Sequence, residues 1–234
     1  MTAPDATRFR HFHDQLGLLK QRMLDMSAKA EALVELSVVS LAERDAAKAD
    51  AVIEGDHEVD GLELEVEQLA ISLLALQQPM ARDLRFIIAA IKISSDLERV
   101  GDHAVNIAQS AQRLAAWGGT FQLQPQIEDM ARRARKMLSD ALDAFVRADG
   151  ALGRAVCRDD DQVDALHNSV FRVLLTHMMA DPRTINPSLE VLLVSRNLER
   201  VADLATNIGE DAVFLAEGKQ IKHHAETREP RQGP

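Results

Sequence analysis

The chain has 234 residues, of which 46% are hydrophobic and 3% aromatic, with no tyrosine and a formal charge of −10. This length holds one large domain or two small ones, and so few aromatics leave a core of Leu, Val, Ile, Ala and Met, the makings of packed helices. The acidity argues against a nucleic-acid partner, which needs a basic footprint, and suits cations or basic partners.

The N-terminal "MTAPDATRFRHFHDQ" lacks the apolar region of a secretory signal. Phe9, Phe12, Leu16, Leu19, Met23, Met26, Ala30 and Leu33 step at helical spacing and predict a first helix over 7–46, with His11 and His13 facing outward beside Phe12. Val52, Val59, Leu62, Val66, Leu69, Leu73 and Leu76 predict a second over 48–77. Phe86, Ala90, Ile93, Leu97, Val100, Ala104, Ile107, Ala111 and Leu114 predict a third over 82–116. The breakers of "WGGTFQLQPQ" at 117–126 then divide the chain. Ile127, Met130, Ala134, Met137, Ala141 and Ala144 open a fourth helix over 125–148, and further helices are expected over 151–179 and 187–217. The lone Cys157 falls in an apolar pattern in the fifth; it excludes an intrachain disulfide and points to a cytoplasmic protein. The polar end is expected to fray beyond about residue 222. No apolar run approaches the ~20 residues of a membrane span.

The halves repeat. "DHEVDGL" at 56–62 returns as "DDQVDAL" 104 residues later, and "LERVGDHAVNIA" at 97–108 returns as "LERVADLATNIG" 101 residues later. The fold class expected is therefore all-α, two tandem, pseudo-repeated three-helix antiparallel bundles. The units run over 1–117 and 118–222, with a polar tail at 223–234.

Each repeat carries carboxylates four residues apart, hence on one helix face and about 6 Å apart along the axis. Asp60 and Glu98 are each 19 residues from Pro79, and Asp56 and Asp102 each 23. If the second and third helices turn at Pro79, these four stand at matching heights. In the second half Asp164 with Glu199 and Asp160 with Asp203 share the midpoint 181.5, within "ADPR". Repulsion between such groups is about 4 kcal/mol per pair at 4 Å with an effective dielectric of 20. They must bind cations, protonate or splay into water. All-oxygen ligands favour Mg²⁺, Mn²⁺ or iron. Simple solvation is the alternative, since the carboxylates flank the apolar stripes.

Asn106 and Asn207 extend these rows, with helix-to-helix hydrogen bonding favoured over ligation. Arg99 and Arg200 stand ready to steady the carboxylates, and His57 and His167 lie beside the Asp rows. There is no P-loop, Gly-x-Ser-x-Gly, Cys-x-x-Cys or defensible nucleophile–base pair.

"QQPMARDLRFI" (77–87), "LERVGDHAVNIA" (97–108), "MMADPRTI" (178–185) and "LERVADLATNIGED" (198–211) resemble the PhoU family of bacterial phosphate-signalling regulators. The resemblance implies two three-helix bundles in a cytoplasmic, often dimeric, non-enzymatic protein that restrains the phosphate regulon and phosphate uptake. It implies partners in the ATP-binding subunit of the phosphate ABC transporter and a membrane sensor histidine kinase, with membrane association only through them. It also implies surface metal clusters on Asp56, Asp60, Glu98 and Asp102, and on Asp160, Asp164, Glu199 and Asp203. Ala202 stands where Gly101 keeps the family's glycine, a change expected to matter little. The competing readings are a carboxylate-bridged metallohydrolase or oxidase and a purely structural helical protein.

Overall fold

The computed structural model describes residues 3–77, 79–117 and 124–221, with side chains from Phe12 onward except Gln77. The expected tail 223–234, the middle of the dividing stretch (118–123) and Gln78 of the first hairpin turn lie outside the described residues. Six α-helices and no strand appear among the described residues: α1 (Ala3–Glu43), α2 (Ala46–Gln77), α3 (Ala81–Ala116), α4 (Pro125–Arg147), α5 (Gly150–Ala180) and α6 (Ile185–Glu217).

Local chemistry sets the ends. The first helix stops three residues before its expected end because Arg44 turns left-handed, at φ 56°. Asp45 then caps α2, its Oδ1 accepting from Ala47 N at 2.9 Å and Lys48 N at 3.2 Å. The same turn recurs 104 residues later: Ala148 is left-handed at φ 52°, and Asp149 Oδ1 accepts from Ala151 N and Leu152 N at 3.0 Å each. Each cap is worth about 1 kcal/mol. The last helix starts at Ile185, ahead of its expected start, because Pro187 falls in the first turn, where a missing N–H costs nothing. A turn of 3-10 helix, Pro182–Thr184, precedes it, with Asp181 Oδ1 accepting from Arg183 N at 3.0 Å.

Helices α1, α2 and α3 pack on one another, as do α4, α5 and α6. The two sets join mainly along α3 and α6, while α1 only touches α4. Helices α3 and α6 run antiparallel: Lys92 Nζ lies 3.1 Å from Asp211 Oδ1 at one end and Arg113 Nε 2.9 Å from Glu190 Oε1 at the other. The core follows the predicted stripes, with Leu19, Met23, Met26, Ile93, Leu97, Ile107, Ile127 and Met130 fully buried. Each large aliphatic side chain so buried contributes about 1.5–3 kcal/mol. Leu76 departs from its stripe: it is exposed near the hairpin tip.

Candidate functional site

Both hairpins carry their carboxylates on the face turned away from the core. Asp56, Asp60, Glu98, Asp160, Glu199 and Asp203 are half-buried, and Asp102 and Asp164 are exposed. The pairing expected from the sequence occurs. Burial first, then Asp60 and Asp102, push the Asp56 carboxyl up to about 6. Burial, then Asp203, Asp164 and Glu199, push Asp160 up to about 6. Glu98 is raised by burial and then by Asp102, Glu63, Asp60 and Asp56. Glu199 is raised by burial and Asp203, with Arg200 and His167 pulling the other way. Each carboxylate thus feels partners on its own helix and across the groove.

The sequence reading left out Glu63 and Glu67. Glu63 is raised by burial, by Glu67, by Asp60 and by Asp102, while a hydrogen bond with Ser95 opposes the shift. The signal was available, for Glu63 and Glu67 continue the Asp56–Asp60 face at helical spacing. Counted along the repeat, His167 and Phe171 replace them in α5. His167 is held in the groove, with Nδ1 2.8 Å from Ser195 Oγ. His57 is an exposed neighbour of Asp60, 3.7 Å away. Asn207 lines a surface pocket between α3 and α6 together with Arg99 and Arg200. Cys157 is half-buried, and desolvation lifts its thiol to about 11, so it is inert at neutral pH.

The glycine of the first motif matters more than expected. A Cβ on Gly101 would collide with Asp56 Oδ1, so glycine is what lets that carboxylate lie against the α3 backbone. Asp56 Oδ1 is buried there without a hydrogen-bond partner. In α6 the fully buried Ala202 stands at this position, so Asp160 does not find the same cradle.

An orphaned buried carboxylate oxygen among several oxygen donors fits a hard cation. Asp56, Asp60, Glu63, Glu98 and Asp102 are the residues that would hold one in the first groove, and Asp160, Asp164, Glu199 and Asp203 in the second. Among the described residues, no three His, Cys, Asp or Glu side chains already stand close enough together to hold an ion. Binding would therefore draw the carboxylates inward.

A second feature was missed. Phe171, Leu175 and Met179 of α5 mirror Leu193, Leu189 and Ile185 of α6 about the turn, and all six are exposed. They lie on the two arms of the hairpin between the second carboxylate row and its tip. Read separately, α5 and α6 each show ordinary helical patterning, and only the hairpin joins the stripes.

Comparison with known proteins places the chain. The PhoU domain model matches residues 23–111 and again 127–212. The phosphate-specific transport system accessory protein PhoU homologue of Caulobacter vibrioides is 41% identical over 212 residues, 91% of this chain and 92% of that protein. Its namesake from Rhizobium meliloti is 38% identical over 209 residues, 89% of this chain and 88% of that protein. The crystal structure of PhoU from Pseudomonas aeruginosa is 34% identical, matches with a TM-score of 0.86, and is covered over 100% of its length by 89% of this chain. The phosphate transport system regulatory protein PhoU from Streptococcus pneumoniae gives a TM-score of 0.81 at 29% identity, over 89% of this chain and 98% of that one. These relatives are named as accessory and regulatory proteins of phosphate transport. The repeated domain match, the shared six-helix fold and the duplicated motifs make this chain a member of the PhoU family.

Proposed function

We propose that this chain is an accessory protein and negative regulator of phosphate uptake and of the phosphate regulon, acting in the cytoplasm as an adaptor. Its two units, divided near residues 117 and 118, would each present a carboxylate row that binds Mg²⁺, Mn²⁺ or iron. Its partners would be the ATP-binding subunit of a phosphate ABC transporter, a phosphate-sensing histidine kinase and a second copy of itself. The observation that carries the reading is the pair of similar hairpins, each with an Asp carboxyl raised by burial and then by its acidic neighbours, in a chain 41% identical to a phosphate-transport accessory protein. The six exposed apolar side chains near the α5–α6 tip support protein docking, because apolar groups gathered on a surface mark contact sites. No described helix is long and apolar enough to cross a membrane, which suits attachment through partners.

Deletion and complementation test this. A clean deletion should leave phosphate-starvation genes switched on in phosphate-rich medium, and the native gene should restore repression. Complementation by Glu98→Gln with Glu199→Gln, which weakens both rows without touching the core, should be impaired. Normal repression in the deletion strain, with no paralogue compensating, sinks the regulatory assignment. Full complementation by the double variant sinks the link between the rows and signalling.

A further inference from the structure

Arg99 and Arg200 occupy the same place in the two repeats, one residue after the motif glutamate, yet they do different things. Arg200 donates from Nη1 to Asp203 Oδ2 at 2.8 Å, and its Nε lies 3.5 Å from Glu199 Oε2. It therefore sits on two carboxylates of the second row. Arg99 turns the other way, with Nη1 3.6 Å from Asp96 Oδ1. The cause is a sequence difference one turn earlier. The first repeat has Asp96 there, an acidic partner outside the row. The second has Asn197, which is uncharged and already engaged: its Nδ2 donates to Leu193 O at 2.8 Å and its Oδ1 accepts from His103 Nδ1 at 2.9 Å. With nothing acidic behind it, Arg200 reaches forward into the row.

Two further differences have the same sign. Glu63 and Glu67 extend the first row, whereas His167 and Phe171 occupy those positions in the second. The first groove has six carboxylates, with its arginine drawn off by Asp96. The second has four, with a guanidinium among them.

We propose that Arg200 is a built-in counter-cation of the second carboxylate row, so that the two rows take up divalent cations at different concentrations, the α2–α3 row first. The proposal rests on the reading that the rows bind cations. A tethered guanidinium in contact with Glu199 and Asp203 competes with any ion that needs those oxygens. An arriving ion must push it off Glu199, further into the pocket of about 260 Å³ that it already lines with Arg99, Asp203, Leu204, Thr206 and Asn207. Filling the second row thus frees a positive side chain at the α3–α6 seam, and a rise in cation concentration becomes a two-stage change in surface charge.

The test is calorimetric titration of the full chain with Mn²⁺. The native protein should show two classes of site, with Glu98→Gln weakening the tighter and Glu199→Gln the weaker. Arg200→Ala should tighten the weaker class about three- to fivefold, the upper end of the effect expected for a partly exposed charge pair, and leave the tighter class unchanged. Arg200→Lys should behave like the native protein, because the competing charge is kept. Arg99→Ala should move neither class more than about twofold. If Arg200→Ala leaves the weaker class unchanged or weakens it, or if Glu199→Gln removes the tighter class, the proposal is overturned while cation binding stands. If neither the native protein nor Arg200→Ala takes up Mn²⁺, the cation reading fails and the proposal with it.

Discussion

The α2–α3 and α5–α6 hairpins share their core stripes and the heights of their acidic residues, and differ in how closely the helices approach and in what lines the groove. In the second hairpin the backbones nearly touch: a Cβ on Gly153 would stand 2.5 Å from the Gly209 carbonyl oxygen, and one on Gly209 would stand 2.9 Å from the Gly153 oxygen. At the equivalent heights the first hairpin has the buried Ala49 and Ala108. In the first hairpin the close approach is instead at Gly101, and what approaches is the Asp56 carboxylate. One hairpin uses glycine to bring helices together, and the other uses it to seat an acidic side chain. A duplicated scaffold can therefore keep its fold while one copy gathers charge and the other neutralises it.

Gly153→Ala probes the closest approach and should have the largest effect. The obstructing atom is a backbone carbonyl, so helices α5 and α6 must separate, at a cost of about 2–4 kcal/mol that exceeds the gain in helix propensity of about 1 kcal/mol. Urea unfolding measures it. An unchanged midpoint would mean that the hairpin tolerates the wider spacing of its counterpart.

Asp56→Asn examines the charge that the first hairpin gathers. A carboxyl whose pKa rises on folding, here from 3.8 to about 6, weakens the fold fully above pH 6, and the weakening fades as pH falls towards 3.8. Without cations, the variant should be about 1–2 kcal/mol more stable than the native chain at pH 7.5, after allowance for solvent screening. The two should converge near pH 4. Melting curves across this range decide, and a constant difference would mean that burial of Asp56 is not the cause.

Much of this was legible in the sequence. Apolar spacing gave six helices, because long aliphatic stripes bury one face whatever their neighbours. Symmetry about Pro79 and about "ADPR" gave the matched carboxylates, because a hairpin with straight arms pairs residues equidistant from its turn. What stayed hidden depends on packing across helices. The spacing of Glu63 was legible, but its hydrogen bond with Ser95 of α3 was not. The partner chosen by Arg200 depends on Asn197 being held by His103, a contact between halves that no local pattern encodes.

Gly101→Ala sharpens the comparison with the smallest change, giving the first motif the alanine that the second has at position 202. Here the obstructing atom is a carboxylate oxygen at the end of a side chain, not a backbone atom. Asp56 can swing towards water, where its Oδ1 regains the hydrogen bonds it lacks against the α3 backbone. Alanine also favours the helix. The metal-free variant should therefore be as stable as the native chain or up to about 1 kcal/mol more stable, whereas Gly153→Ala should be clearly weaker. Seating Asp56 against α3 is what brings it to its partners, so the same change should reduce the stabilisation that Mn²⁺ gives by mass action. Paired melts with and without Mn²⁺ read both effects. A variant that loses stability without metal, yet gains as much from Mn²⁺ as the native chain, would show that Gly101 serves helix packing and not the carboxylate row.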